Sequence, residues 1–169
     1  RGNYPIGHKS RNVPGPNGAF EDEKAEMPWV GIVSTTPDLF RFAEALRTGR
    51  TADGRRVISP AMLELATRNW TGEMVNELYA ARGREEGIEP APAYIGLGFS
   101  LRGTALCHHM FGTLASPRTY GNYGAGTSLF WIDPEREITF ACLTAGVMGH
   151  NANMRRFQKL GDMVLSAAE

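Results

Sequence analysis

Leu39, Phe42, Ala43 and Leu46 recur at the spacing of one helix face, and the residues around them supply both ends of that helix. Thr36 is placed to cap it, Pro37 suits its first turn, Asp38 adds an acid there, and Gly49 stops it. A second start of the same kind follows the charged loop from Arg50 to Arg56. Here Ser59 precedes Pro60, with Met62, Leu63, Leu65 and Ala66 on the apolar side. Thr67 to Pro92 has no clear rhythm and reads as a weak helix near Glu73 to Ala81 or as a long excursion. Beyond it the period changes. Tyr94 to Leu101 alternates as a strand, the stretch from Gly103 to Ser116 is expected to loop out, and the chain returns near Thr119. Ser128 to Ile132 and Glu137 to Leu143 carry branched and aromatic side chains suited to strands, and Asp133-Pro134-Glu135-Arg136 between them predicts a hairpin turn. Met154, Phe157, Leu160, Val164 and Leu165 then return to helical spacing, with Asn151 or Asn153 as the cap. The expectation is an α/β (α+β) unit, an antiparallel sheet flanked by helices.

Residues 1–26 break both rhythms. Pro5, Pro14, Pro16 and four glycines mark them as an extended linker, and the folded part is expected over residues 27–169, beginning with Trp29 to Val33 as a strand or buried loop. A length of 169 residues with 42% apolar side chains is enough for one core. Lys plus Arg and Asp plus Glu number 18 each, so no net field draws the chain to nucleic acid or an anionic membrane. No apolar run approaches a membrane span, and the compartment stays open. Cys107 and Cys142 read as free thiols unless their strands lie side by side.

The stretch Tyr120-Gly121-Asn122-Tyr123-Gly124-Ala125-Gly126 carries three glycines in six residues and leads straight into the hairpin. So little side chain exposes its backbone N–H groups to a ligand or to a neighbouring strand. This segment, the following Trp131-Ile132-Asp133-Pro134-Glu135 and the strand Ile138-Thr139-Phe140-Ala141-Cys142-Leu143-Thr144 resemble the C-terminal sheet of the serine β-lactamase and penicillin-binding-protein-like hydrolases. The nearest branch is that of the β-lactamase-related esterases, transesterases and D-amino-acid peptidases. Gly31 to Phe42, Val57 to Met62 and Tyr94 to Ser100 match in the same order, so the resemblance runs from Met27 to Ala145.

The resemblance implies a serine hydrolase or acyltransferase that opens an ester or amide through an acyl-enzyme, without a cofactor. It also implies that this chain, which begins with Arg1 rather than Met, is the C-terminal part of a longer protein and partners the missing N-terminal part. Of the family's three motifs only the third, K-T-G or H-x-G, has a match, at Asn122-Tyr123-Gly124. Those three residues would bind substrate, and the backbone N–H of Ala125 would be an oxyanion donor. Asn122 departs from the pattern, which has Lys or His there, because an amide cannot act as a cation or as a proton carrier at neutral pH. No serine is followed by Lys three residues on, so the S-x-x-K nucleophile is expected outside this chain, which alone would be inactive. The alternative is a non-catalytic β-lactamase-like binding module.

Three further features read as structural. Consecutive strand residues point to opposite faces, so Cys107-His108-His109 suits a surface loop better than a metal site. His8 and His150 read as solvated loop histidines, and Glu21, Asp22, Glu23 and Glu26 as a solvated acidic run.

Overall fold

The computed structural model describes residues 34–84, 87, 89, 91–124, 128–144 and 148–168. The expected linker, the stretch from Trp29 to Val33 and Ala125 lie outside them. Four helices, α1 (Thr36–Thr48), α2 (Pro60–Ala66), α3 (Glu77–Arg84) and α4 (His150–Ala167), accompany four strands among the described residues. The strands β1 (Ser100–Leu101), β2 (Tyr120–Tyr123), β3 (Ser128–Asp133) and β4 (Ile138–Leu143) form one antiparallel sheet in the order β1-β2-β3-β4.

The α1 cap is Thr35 rather than Thr36. Thr35 is extended, its Oγ1 accepts the Asp38 N–H at 3.3 Å and donates to Asp38 Oδ2 at 2.9 Å, which leaves Thr36 and Pro37 inside the first turn. Gly49 ends the helix at φ 72, a left-handed position suited to glycine. Of the expected apolar face, Ala43 and Leu46 are buried, while Phe42 is 52% exposed and touches the Phe130 ring edge-on. In α2 the Ser59 hydroxyl caps Met62 as expected, and Ala66 is the buried residue. Helix α4 begins at His150 with Gly149 at its cap, so neither Asn151 nor Asn153 has that role. Asn153 is buried within the helix, where its Oδ1 accepts from Arg156.

Strand alternation sends Tyr120 and Ile132 to one face of the sheet and Leu129 and Trp131 to the other. The first face packs with Ala43 and Leu46 of α1 and with Tyr94 and Leu101. The second packs with Phe157 and Leu165 of α4 and with Met110 and Phe111. The sheet is thus held between α1 and α4. The hairpin pairs six residues on each strand, from Ser128↔Leu143 to Asp133↔Ile138. At Gly121 a Cβ would lie 2.1 Å from the Phe130 carbonyl oxygen and 2.7 Å from Trp131 Cα, so close strand packing accounts for that glycine.

Two expectations fail. Tyr94 to Leu101 is not one strand but a tight reversal, closed by Leu101 N–H on the Tyr94 carbonyl (2.8 Å) and Gly96 N–H on the Phe99 carbonyl (2.9 Å). Gly98 at φ 79 turns the chain, and only Ser100 and Leu101 remain for the sheet. The stretch from Gly103 to Ser116 does not loop out either. Phe111 is 0% exposed, and a Cβ on Gly161 of α4 would lie 2.4 Å from its carbonyl oxygen. The buried Arg102 guanidinium ties this segment together, donating to the carbonyls of Gly112 (3.2 Å) and Ala105 (2.9 Å).

Candidate active site

β1 stops pairing at Ser100↔Gly121, so the outer edge of β2 from Asn122 onward has no strand beside it among the described residues. Gly124 donates its N–H to Ser128 of β3 at 2.9 Å, which fixes the alternation: the N–H of Tyr123 points away from β3, to the open edge. There Asn122 Oδ1 accepts it at 2.8 Å, while Asn122 Nδ2 donates to the Gly98 carbonyl at 3.2 Å. The exposed Asn122 side chain thus stands in for the strand that the reversal at Gly98 cuts short. One N–H of its amide and one lone pair are left to offer a ligand.

Asn122 and Tyr123 do not converge. They pair with Phe130 and Leu129 respectively and therefore occupy opposite faces of the sheet. Tyr123 is half-buried on the α4 side, and its hydroxyl hydrogen-bonds that of Tyr79 on α3. The Tyr79 ring lies 4.7 Å from the His150 ring at the start of α4. Gly124 is close enough to Ser128 that a Cβ would meet Ser128 Oγ at 2.3 Å. Ala125 lies outside the described residues, so its N–H carries no geometry here.

Tyr79 carries no expectation beyond the weak helix that contains it, and His150 reads in the sequence as a solvated loop histidine. His150 is half-buried against an aromatic ring rather than in a solvated loop. The signal for Tyr79 was Asn76, whose Oδ1 accepts the Tyr79 N–H at 3.2 Å just before α3 begins at Glu77, four residues after Glu73. The excursion is pinned down by Asn76 N–H on the Ala91 carbonyl (3.0 Å) and by Tyr94 Oη on the Glu73 carboxylate (3.0 Å).

His108 and His109 fasten the Gly103 to Ser116 segment to α4. Gln158 Oε1 meets His108 Nδ1 at 3.0 Å and accepts the His109 N–H at 3.2 Å. His109 Nδ1 accepts the Phe111 N–H at 3.2 Å. Burial, aided by the Arg102 charge, pushes the His109 imidazole down to about 3, so it is neutral at physiological pH. Cys107 and Cys142 are both free, and burial pushes both thiols up.

A family model described as Beta-lactamase matches residues 1–161. Among solved structures, a beta-lactamase from Mycobacterium bovis is similar with 28% identity and a TM-score of 0.61, over 79% of this chain and 44% of that one. A penicillin-binding protein homolog from Caulobacter crescentus is similar in fold, with 21% identity and a TM-score of 0.52, over 90% of this chain and 41% of that one. The chain therefore spans less than half the length of either. No curated protein matches it.

Proposed function

The chain belongs to the beta-lactamase family, and from that premise we propose that it forms one wall of the active site of a serine hydrolase. The proposed reaction is acyl transfer from a small-molecule ester or amide to water or an alcohol. The nucleophilic serine comes from a partner segment outside these 169 residues, which contain no S-x-x-K. Its Oγ gives up a proton and bonds to the acyl carbon, the bond from that carbon to the leaving alcohol or amine breaks as the leaving group takes a proton, and water or an alcohol then takes the acyl group while Oγ regains its proton.

The observation that supports this reading is the open edge of β2 next to Asn122. Tyr123 N–H faces that edge and Gly124 N–H faces β3, and the Ala125 N–H is the oxyanion donor that the resemblance of Asn122-Tyr123-Gly124 to the family's third motif implies. A fixed N–H there meets the charge that develops on the substrate carbonyl without having to reorganise. Asn122 contributes its remaining N–H to substrate binding, and Tyr123, held by Tyr79, stiffens the wall from behind. A second reading, a binding module without chemistry, is favoured by Asn122 itself, which cannot act as a cation or relay a proton at neutral pH and has each end of its amide in one hydrogen bond already.

Ala125→Pro in the full-length protein separates the two. Loss of one oxyanion donor lowers turnover of an activated ester by roughly 10²–10³, with circular dichroism confirming that the strand survives the proline. Asn122→Ala raises the Michaelis constant with little change in turnover, as expected of a binding contact. A folded Ala125→Pro enzyme with unchanged turnover would remove this edge from the active site.

A further inference from the structure

At the hairpin-turn end of the sheet, away from Asn122, a cavity of about 420 Å³ opens between α2, β2 and the β3–β4 turn. Its volume lies within the roughly 300–1,000 Å³ range of small-molecule sites. Leu63, Leu101, Pro117 and Pro134 supply apolar wall. Tyr120 also lines it and is 4% exposed, with its ring held edge-on by Phe99 at 5.3 Å. Its hydroxyl makes no hydrogen bond among the described residues, although a phenol in such a place normally has a partner.

The charges around the cavity are of two kinds. Arg47 is already neutralised, its Nε donating to Glu44 Oε1 at 3.0 Å. Arg118 and Glu64 both line the cavity, yet neither has an ion-pair partner among the described residues, and they do not reach one another within 4.0 Å. Among the described residues the space thus presents one open cation, one open carboxylate and a buried phenol. A simple anion is opposed by Glu64, a simple cation by Arg118, and an apolar molecule leaves the Tyr120 hydroxyl unsatisfied. We propose that this cavity is a ligand site for a small zwitterion, an α-amino acid or a dipeptide. The carboxylate lies against Arg118 and the Tyr120 hydroxyl, the ammonium against Glu64, and the side chain against the apolar wall.

The test is calorimetric titration of the full-length protein with L-alanine, D-alanine and alanyl-alanine, alongside the single-charge analogues propionate and ethylamine. The expected result is saturable binding of at least one zwitterion, with propionate and ethylamine about tenfold weaker or more. Comparison of alanine with alanyl-alanine reads the spacing between the two charges. Arg118→Ala, Glu64→Gln and Tyr120→Phe should each weaken that binding about tenfold. Tyr120→Phe keeps the ring in the core and Arg118 is exposed, so unchanged melting temperatures separate lost binding from lost folding. Absence of binding at millimolar concentration would overturn the proposal. So would propionate binding as tightly as alanine, or affinities unaltered in both Arg118→Ala and Tyr120→Phe.

Discussion

The two ends of the β2–β3–β4 sheet are made from the same strands and finished in opposite ways. At the turn end Asp133 is 0% exposed and accepts five hydrogen bonds. They come from the N–H and hydroxyl of Ser116 (2.9 and 2.7 Å), the N–H groups of Glu135 (3.1 Å) and Arg136 (3.2 Å), and the Arg136 guanidinium (2.9 Å). Burial alone would raise this carboxyl, and the hydrogen bonds from Ser116 and Arg136 outweigh it and hold it below its ordinary value. At the other end the edge of β2 is finished by one exposed amide, Asn122, in place of a strand. A saturated buried charge fixes geometry, whereas an open edge leaves backbone donors for something else to meet. The first kind of end holds the fold, and the second is where the proposed chemistry belongs.

The largest expected effect breaks the closed end. Asp133→Ala takes the acceptor from the buried N–H and hydroxyl of Ser116 and from the two turn N–H groups, while the half-exposed Arg136 guanidinium returns to water, and should cost about 2–5 kcal/mol in urea or thermal unfolding. A loss under about 1 kcal/mol would mean that the network adds little to the fold.

A pair of glycine substitutions sharpens the contrast along β2 itself. Gly121→Ala drives a Cβ into the Phe130 and Trp131 backbone, which cannot rotate away, and should destabilise by about 1–3 kcal/mol. Gly124→Ala meets only the Ser128 hydroxyl, the free end of a side chain, and should stay within about 0.5 kcal/mol. Equal losses in chemical denaturation would erase the distinction between packed and open ends of the strand.

The smallest effect at neutral pH concerns His109, in the segment fastened to α4 through Gln158. Its imidazole titrates at about 3 when folded and at its ordinary 6.5 when unfolded. Between those values the unfolded chain binds more protons, so stability falls as pH drops from 6.5 toward 3, by at most about 1.4 kcal/mol per pH unit. His109→Asn keeps an acceptor for the Phe111 N–H and should flatten that slope while leaving stability at neutral pH little changed. Identical pH profiles for the two proteins would show that His109 charges freely in the folded state.

Much of the fold was legible because it is local. Ser59 with Pro60, Thr36 and Pro37 with Gly49, and the Asp133 to Arg136 turn each act within a few residues, and they placed two helices and the hairpin within one or two positions. What failed depends on distant partners. Tyr94 to Leu101 alternates well enough for a strand, but Leu97 N–H donates to the Ala66 carbonyl and Gly98 turns the chain, a decision taken by α2 rather than by the pattern. The Gly103 to Ser116 segment looked like an outer loop because its glycines and polar residues hide two core positions, Met110 and Phe111, whose burial needs Gly161 some fifty residues later. The glycine cluster was legible, but Gly121 answers close packing against Phe130 and Trp131, Gly124 lies against Ser128, and Gly126 lies outside the described residues. That Asn122 and Tyr123 face opposite ways follows from strand alternation, but the Tyr79 and His150 contacts behind Tyr123 are tertiary and left no sequence pattern.

The central claim, that the open end of β2 is one wall of an acylating site whose serine lies elsewhere, is tested most directly by covalent labelling. The full-length protein is treated with a fluorophosphonate or penicillin-type probe and the modified residue is mapped by mass spectrometry. The account predicts a single labelled serine outside residues 1–169, with labelling slowed by Ala125→Pro. No labelling at all, or a label on a serine within these 169 residues, would contradict it.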